Sequence, residues 1–256
     1  MSYHLVRCTV CDLVYAPLPP DDHELDALYQ AAAFDSSPHA DDAAVTYFNE
    51  LQPIISRLYS KESFLEIGSG TGTLLDYLKN AGFKKLVGVE PSTAAILSAP
   101  EHRRHLILQG SFDEGAFRHE SFDLICCFMT LEHVRDPSII SNAARRLLRP
   151  GGAFVFVTHD RRSIVNRLLG RKSPIIDIEH LQLFSKESAR QLLLRSNFRD
   201  ISIKIIKNRY EVSYWLRLSP LPSNVKRLIE KLFKRMGVSS IRLAINVGNI
   251  LSVGFK

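Results

Sequence analysis

The sequence predicts an α/β fold: a doubly wound, mostly parallel seven-stranded sheet with helices on both faces. Three observations carry this reading. From residue 63 to about residue 206, short apolar runs alternate with amphipathic helical stretches. That is the rhythm of βαβ units, whose parallel sheet is covered on both sides. The first apolar run ends in Glu66-Ile67-Gly68-Ser69-Gly70-Thr71-Gly72, so three alternating glycines stand between a strand and a helix. The second run, Lys85-Leu86-Val87-Gly88-Val89, ends in an acid, Glu90.

The elements follow in order. Residues 1–40 read as an N-terminal appendage, with a Cys8-x-x-Cys11 pair, a turn rich in proline (Pro17, Pro19, Pro20), a short helix near 24–32 and a loop at 34–38. The main domain is expected over 41–256, with its core at 60–207. A helix over about 41–59 carries Tyr47, Phe48, Leu51, Ile54, Ile55 and Leu58 at a period of about 3.6, although Pro53 interrupts it. It is expected to lie over the ligand side of the core. Strands are predicted at 63–67, 85–89, 105–109, 122–128 and 153–158, and helices near 72–81, 92–99 and 137–148. Gly82 supplies a helix stop. Residues 201–206 form a sixth strand and 249–255 a seventh.

Between those last two strands lies a helical insertion, 209–248. Within it, 224–236 reads as a helix with Val225, Leu228, Ile229, Leu232, Phe233 and Met236 on one face and Lys226, Arg227, Lys231, Lys234 and Arg235 on the others. Such a stripe is expected to pack on the protein itself. Peripheral contact with an anionic membrane is the alternative.

Charge is unevenly distributed. Residues 1–128 hold nine Lys/Arg against eighteen Asp/Glu, whereas residues 129–256 hold 24 against nine, and the whole chain carries +6. The basic second half suggests an anionic partner or a solvated basic face. Cys126 and Cys127 sit inside a predicted buried strand and read as small apolar residues. No apolar run approaches the length of a membrane span, and Met1-Ser2-Tyr3-His4 has no export-signal pattern, so a cytoplasmic protein is expected.

The glycine turn followed by an acid at the next strand tip resembles the class I S-adenosylmethionine-dependent methyltransferases. Ser121-Phe122-Asp123-Leu124-Ile125 resembles their fourth strand, Leu131-Glu132-His133-Val134 with Asp136-Pro137 the turn after it, and Leu148-Arg149-Pro150-Gly151-Gly152 the turn before strand five. A dinucleotide fingerprint would need a glycine at Thr73, which disfavours a nicotinamide cofactor. The Cys8/Cys11 segment resembles one knuckle of the zinc ribbon that precedes some members. With only one knuckle present, bound zinc is not expected, and no metal site is assigned.

The resemblance implies S-adenosyl-L-methionine as cofactor and S-adenosyl-L-homocysteine as product. It places Gly68, Ser69, Gly70 and Gly72 against the methionine and ribose portions, and Glu66 at the loop or the amino end. Glu90 and Pro91 would meet the ribose, Ser111 and Phe112 the adenine, and Phe128 and Met129 the region near the sulfonium. General-base candidates are His133, His159 and His180, because imidazole titrates near working pH. Arg161, Arg162, Arg167, Arg171 and Lys172 are expected to grip an anionic acceptor. The implied reaction is methyl transfer to a small acceptor, expected to be anionic and either free or lipid- or glycan-linked, with oxygen favoured. A nucleic-acid or protein methyltransferase and a non-catalytic cofactor-binding module are the alternatives.

Overall fold

The computed structural model describes residues 3–31, 39–219, 222–236, 238 and 241–256. The loop expected at 34–38 lies outside them. Two short strands, β1 (Val6–Arg7) and β2 (Val14–Tyr15), precede helices α1 (Asp22–Ala31) and α2 (His39–Ile55). The core then runs β3 (Ser63–Ile67), α3 (Thr73–Asn80), β4 (Lys85–Glu90), α4 (Thr93–Ser98), α5 (Glu101–Arg104), β5 (Ile107–Gln109), β6 (Phe122–Phe128), α6 (Pro137–Leu147) and β7 (Leu148–His159). After these come α7 (Ile164–Leu169), β8 (Gln182–Leu183), α8 (Lys186–Arg195), β9 (Arg199–Glu211), α9 (Val212–Leu218), α10 (Ser223–Arg235) and β10 (Arg242–Phe255).

The seven-stranded sheet has the order β5-β4-β3-β6-β7-β10-β9. Strands β5 to β7 pair in parallel, and β10 is antiparallel to both neighbours. Every residue of β3 and β6 is buried, as expected of central strands covered on both faces. Side chains alternate across the sheet. Phe64, Leu124 and Cys126 join the apolar cluster with Leu51 of α2 and Leu75 of α3. Leu65, Ile125 and Cys127 join the other cluster, with Leu147 of α6 and Leu193 of α8. The adjacent cysteines thus face opposite layers, and burial pushes both thiols well above their ordinary range.

Local chemistry explains the boundaries. Asp136 caps α6 by accepting the Ser138 amide (2.8 Å), with Pro137 in the first turn where its missing N–H costs nothing. Ser92 caps α4, and Ser185 with Ser188 forms a reciprocal capping box on α8. Helix α2 ends at Ile55, two residues after Pro53, rather than reaching 59, and tighter turns follow, with the Arg57 amide on the Ile54 carbonyl and the Leu58 amide on that of Ile55. This helix packs on β9 and α3, and its Tyr47 ring rests 4.7 Å from that of Phe128.

The 209–248 segment departs most from expectation. Residues 209–211 and 242–248 are strand, pairing Arg242 with Glu211 and Ile245 with Asn208, so the β9–β10 ribbon extends well past the sheet. Helices α9 and α10 occupy its tip. The α10 stripe packs only in part, against α9: Val225, Ile229 and Phe233 are half-buried, whereas Leu228 is 70% exposed, Leu232 51% and Met236 54%. Residues 3–15 form a three-stranded antiparallel sheet with β8, in the order β1-β2-β8.

At the amino end of the sheet, Asp123 of β6 is buried and accepts the Glu62 and Ser63 amides (2.8 and 2.9 Å) and the Arg149 guanidinium (3.0 Å). One carboxylate therefore fastens β3, β6 and the start of β7. Asp123→Ala should lower unfolding free energy by about 2 kcal/mol, since two amides and a guanidinium lose their acceptor. A denaturant midpoint equal to wild type would contradict this role.

Candidate functional site: a cofactor cavity at the carboxyl edge of the sheet

A cavity of about 1040 Å³ opens beyond the carboxyl ends of β3, β4, β5 and β6, where open α/β sheets bind ligands. Ligand pockets commonly span roughly 300–1,000 Å³, so this one has room for a nucleoside-sized cofactor and a small second molecule. Its wall includes Gly68, Gly70, Glu90, Pro91, Ser111, Phe112, Phe128, Met129 and His133, all sequence candidates. Glu66, Ser69, Gly72, His159 and His180 are not on that wall and sit behind it.

The glycine turn is held by backbone bonds. The Gly68 and Ser69 amides both donate to the Val89 carbonyl, at 2.9 and 3.0 Å, which draws the turn onto β4. Gly68, Gly70 and Gly72 have φ of 76°, 54° and 71°, the left-handed region that glycine enters without steric cost. At Gly68 a Cβ would collide with the Thr130 hydroxyl, so the turn also needs the missing side chain to approach β6. Ser69 points into the sheet against Gly88. The αL conformation of Met129 (φ 52°), rare for a side-chain-bearing residue, sits at the end of β6 on the same wall.

Glu90 is 8% exposed. Its Oε2 accepts the Gly70 amide at 2.7 Å and its Oε1 accepts the Ser92 amide at 2.8 Å. Burial raises its pKa, and the two amides hold it back. Glu66 is more deeply buried and its Oε2 has no hydrogen-bond partner. Burial, then the charge of Glu90, pushes its pKa far up. An orphaned carboxyl oxygen behind a glycine turn suits a ligand that brings its own donor.

The histidines form a chain leading from the wall inward. His133 Nδ1 lies 2.9 Å from the Glu179 carbonyl. A carbonyl only accepts, so Nδ1 carries the proton and Nε2 keeps the lone pair. The His133 ring centroid is 4.8 Å from that of His180, which is 5.5 Å from that of His159. His180 Nδ1 bonds Asp177 at 2.8 Å. His159 Nδ1 meets both oxygens of the fully buried Glu132 carboxylate, at 3.0 and 3.1 Å. Burial works against charge on His159, but Glu132 overrides it and raises the pKa. His133 moves the other way: burial and then His180 lower its pKa.

Several wall residues were not anticipated. Tyr15, Ala16, Pro17, Pro19, Leu25 and Tyr29, from the N-terminal segment, close one side of the cavity. Tyr29 donates to the His133 carbonyl (3.1 Å) and sets its ring edge-on to the imidazole. The proline-rich turn was the available signal, but nothing local shows which way it folds. No described residue of α2 lines the cavity itself, although its Tyr47 packs on the wall residue Phe128. Arg161 and Arg162, expected to grip an acceptor, instead bind the Asp12 carboxylate. Cys8 and Cys11 lie between β1 and β2, beside a second cavity of about 440 Å³. Backbone amides of Cys11 and Val10 lower the Cys8 pKa, whereas burial raises that of Cys11. Among the described residues, no third His, Cys, Asp or Glu completes a cluster with them.

A parallel sheet with one inserted antiparallel strand, a glycine turn after its first core strand and an acid after the second define a class I S-adenosylmethionine-dependent methyltransferase. Residues 29–203 match the methyltransferase-domain family, and the chain belongs to that family. It is 35% identical over 105 residues to the ubiquinone biosynthesis O-methyltransferase of Sodalis glossinidius and 33% identical over 102 residues to that of Klebsiella pneumoniae. The first alignment covers 39% of this chain and the second 38%, and each spans 42% of the relative. The fold is shared with a methyltransferase from Archaeoglobus fulgidus (TM-score 0.56, 14% identity, 92% of this chain and 100% of that one). It is also shared with a Haemonchus contortus phosphoethanolamine N-methyltransferase in complex with S-adenosyl-L-methionine (TM-score 0.52, 14% identity, 91% of this chain and 60% of that one).

Glu90→Ala removes the acceptor of two turn amides. It should weaken S-adenosylmethionine binding by roughly 1.5–3 kcal/mol, about ten- to a hundredfold, as for other hydrogen bonds to charged groups. Titration calorimetry checks this, and unchanged affinity would separate Glu90 from the cofactor.

Proposed function

We propose that the chain methylates an oxygen of a small acceptor, with His133 as the general base. The single observation that carries this reading is the fixed tautomer of His133. Its Nδ1 proton is committed to the Glu179 carbonyl, so the basic Nε2 belongs to a side chain on the cavity wall. Curated relatives that are ubiquinone biosynthesis O-methyltransferases support oxygen as the acceptor atom.

The residues fit the cofactor. Glu90 keeps a lone pair on each oxygen for the two ribose hydroxyls, Glu66 behind the wall backs the glycine turn or reaches the amino end through a water, and Phe112 offers a ring beside Ser111 for the adenine. The sulfonium supplies an already activated methyl group. What remains for the protein is to align the acceptor and to take its proton. Tyr29, Leu25 and Pro17 form an apolar side of the cavity that excludes water from that step. Negative charge on the acceptor, or its attachment to a lipid or glycan, is part of the proposal, as is a cytoplasmic site of action. Arg135 is the cation on the wall that such a charge would meet.

The pH dependence follows from the surroundings of His133. Burial and His180 lower its pKa, while Glu132, Glu179 and the Glu179 carbonyl push it up, and the lowering prevails. Tyr29, edge-on to the ring, has its own pKa raised by burial and stays neutral. The neutral imidazole is the base, so activity is lost as pH falls through the His133 pKa. That acidic limb should lie below the ordinary imidazole range near 6.5. Replacing His180 by Asn should move it upward, because a repelling ring is removed. His133→Ala should cut kcat roughly a hundredfold or more, abolish the limb and leave cofactor affinity nearly unchanged. Wild-type kcat and an intact limb in that variant would refute the assignment.

A further inference from the structure

We infer that the tip of the β9–β10 ribbon docks on an anionic phospholipid bilayer, with the α10 apolar stripe in the headgroup region. Three independent features point there. The stripe has a bare edge: Leu228, Leu232 and Met236 are exposed while Val225, Ile229 and Phe233 are half-buried, and Leu243 and Ile245 of β10 add 46% and 37% exposed apolar side chains on the ribbon. The helix is cationic, with Lys226, Arg227, Lys231, Lys234 and Arg235 against a single acid, Glu230. Among the described residues its sole ion pair is internal, Lys234 to Glu230 at 2.9 Å.

Charge complementarity selects the occupant. Elsewhere several cations of the second half meet acids of the first: Arg146 with Glu114, Arg149 with Asp123, Arg161 and Arg162 with Asp12, Lys204 with Glu50, Arg242 with Asp42 and Lys256 with Glu120. Those of α10 have no such acid on the fold. A second copy covering the stripe would set five cations against five. An anionic bilayer satisfies both the cations and the apolar residues, the combination that holds amphipathic helices in the interface. Placement agrees as well. The ribbon leaves the sheet at the carboxyl end of β9, the edge at which the cavity opens, and α7, against β10, exposes Ile164 (77%) and Leu168 (82%) there. The inference deepens the methyltransferase reading by placing the acceptor at a membrane surface, but docking itself does not require methyl transfer.

Vesicle flotation tests it with the full chain and large vesicles of phosphatidylcholine alone or mixed with phosphatidylglycerol. Binding should require the anionic lipid and weaken with added salt. Each of Arg227→Gln, Lys231→Gln and Arg235→Gln should lower partitioning roughly fivefold, and all three together about a hundredfold. Leu228→Glu with Leu232→Glu should abolish it. Circular dichroism melts and S-adenosylmethionine calorimetry on the same variants should match wild type, which separates lost docking from a failed fold or a failed cofactor assignment. The inference is overturned by absence of flotation, by flotation that these substitutions leave intact, by a dimer that Leu228→Glu dissolves without any lipid binding, or by tighter binding to duplex DNA or RNA than to the vesicles.

Discussion

Both oxygens of the Glu90 carboxylate are committed to backbone amides of different turns, and the cavity depends on that double bond. Gly70 belongs to the turn after β3, and Ser92 to the turn that starts α4. A single side chain therefore sets the separation of the two turns between which a nucleoside must fit. Desolvation disfavours the charged form of so buried a group, and the two amides offset part of that cost. A carboxylate has about four acceptor positions. With two used internally, the remaining pair is aimed by the same bonds that fix the turns. Pre-organisation of this kind removes an ordering cost from ligand binding.

The glycines serve the same arrangement through what they lack. The turn must satisfy its amides on Val89, clear Thr130 and pass through left-handed φ values within a few residues, and any Cβ at Gly68 defeats the second condition. Met129 accepts a comparable backbone conformation without being glycine. Its amide is fixed by the Val157 carbonyl at 2.9 Å, so β7 enforces the strain. Strain held in place by neighbouring strands is typical of residues that line a site.

The core of the fold was legible because each strand and helix of the βαβ series is dictated by its own period and its own punctuation. The glycine turn, Asp136-Pro137 and the buried runs at 63–67 and 122–128 are local signals, and the structure places them as read. What could not be read depended on contacts distant in sequence. Tyr29 lies 104 positions before the His133 whose carbonyl it binds, and Arg161 lies 149 after its partner Asp12. The extension of the β9–β10 ribbon is another case. Arg209 and Ala244 pair only with each other, and neither segment alone has a strand period strong enough to announce the partner. Of the three histidine candidates, only His133 reaches the wall. That distinction rests on the carbonyl of Glu179 and the carboxylate of Glu132, not on the imidazoles themselves.

The charge asymmetry shows why composition must be resolved into pairs before it says anything about partners. An acidic first half and a basic second half look like a surface built for an anion. In the fold, part of that contrast is consumed internally, because the two halves meet along the sheet and exchange ion pairs such as Arg149 with Asp123 and Lys204 with Glu50. The largely exposed ones among these pairs contribute little to stability. Their significance is subtraction: cations with an acid at hand are poor evidence for an external ligand. After that subtraction α10 still carries five cations within residues 226–235, beside the exposed Leu228 and Leu232. Apolar exposure and unmatched charge on one helix are each costly or neutral to a free protein in water, and their coincidence is what a charged, partly apolar surface would reward.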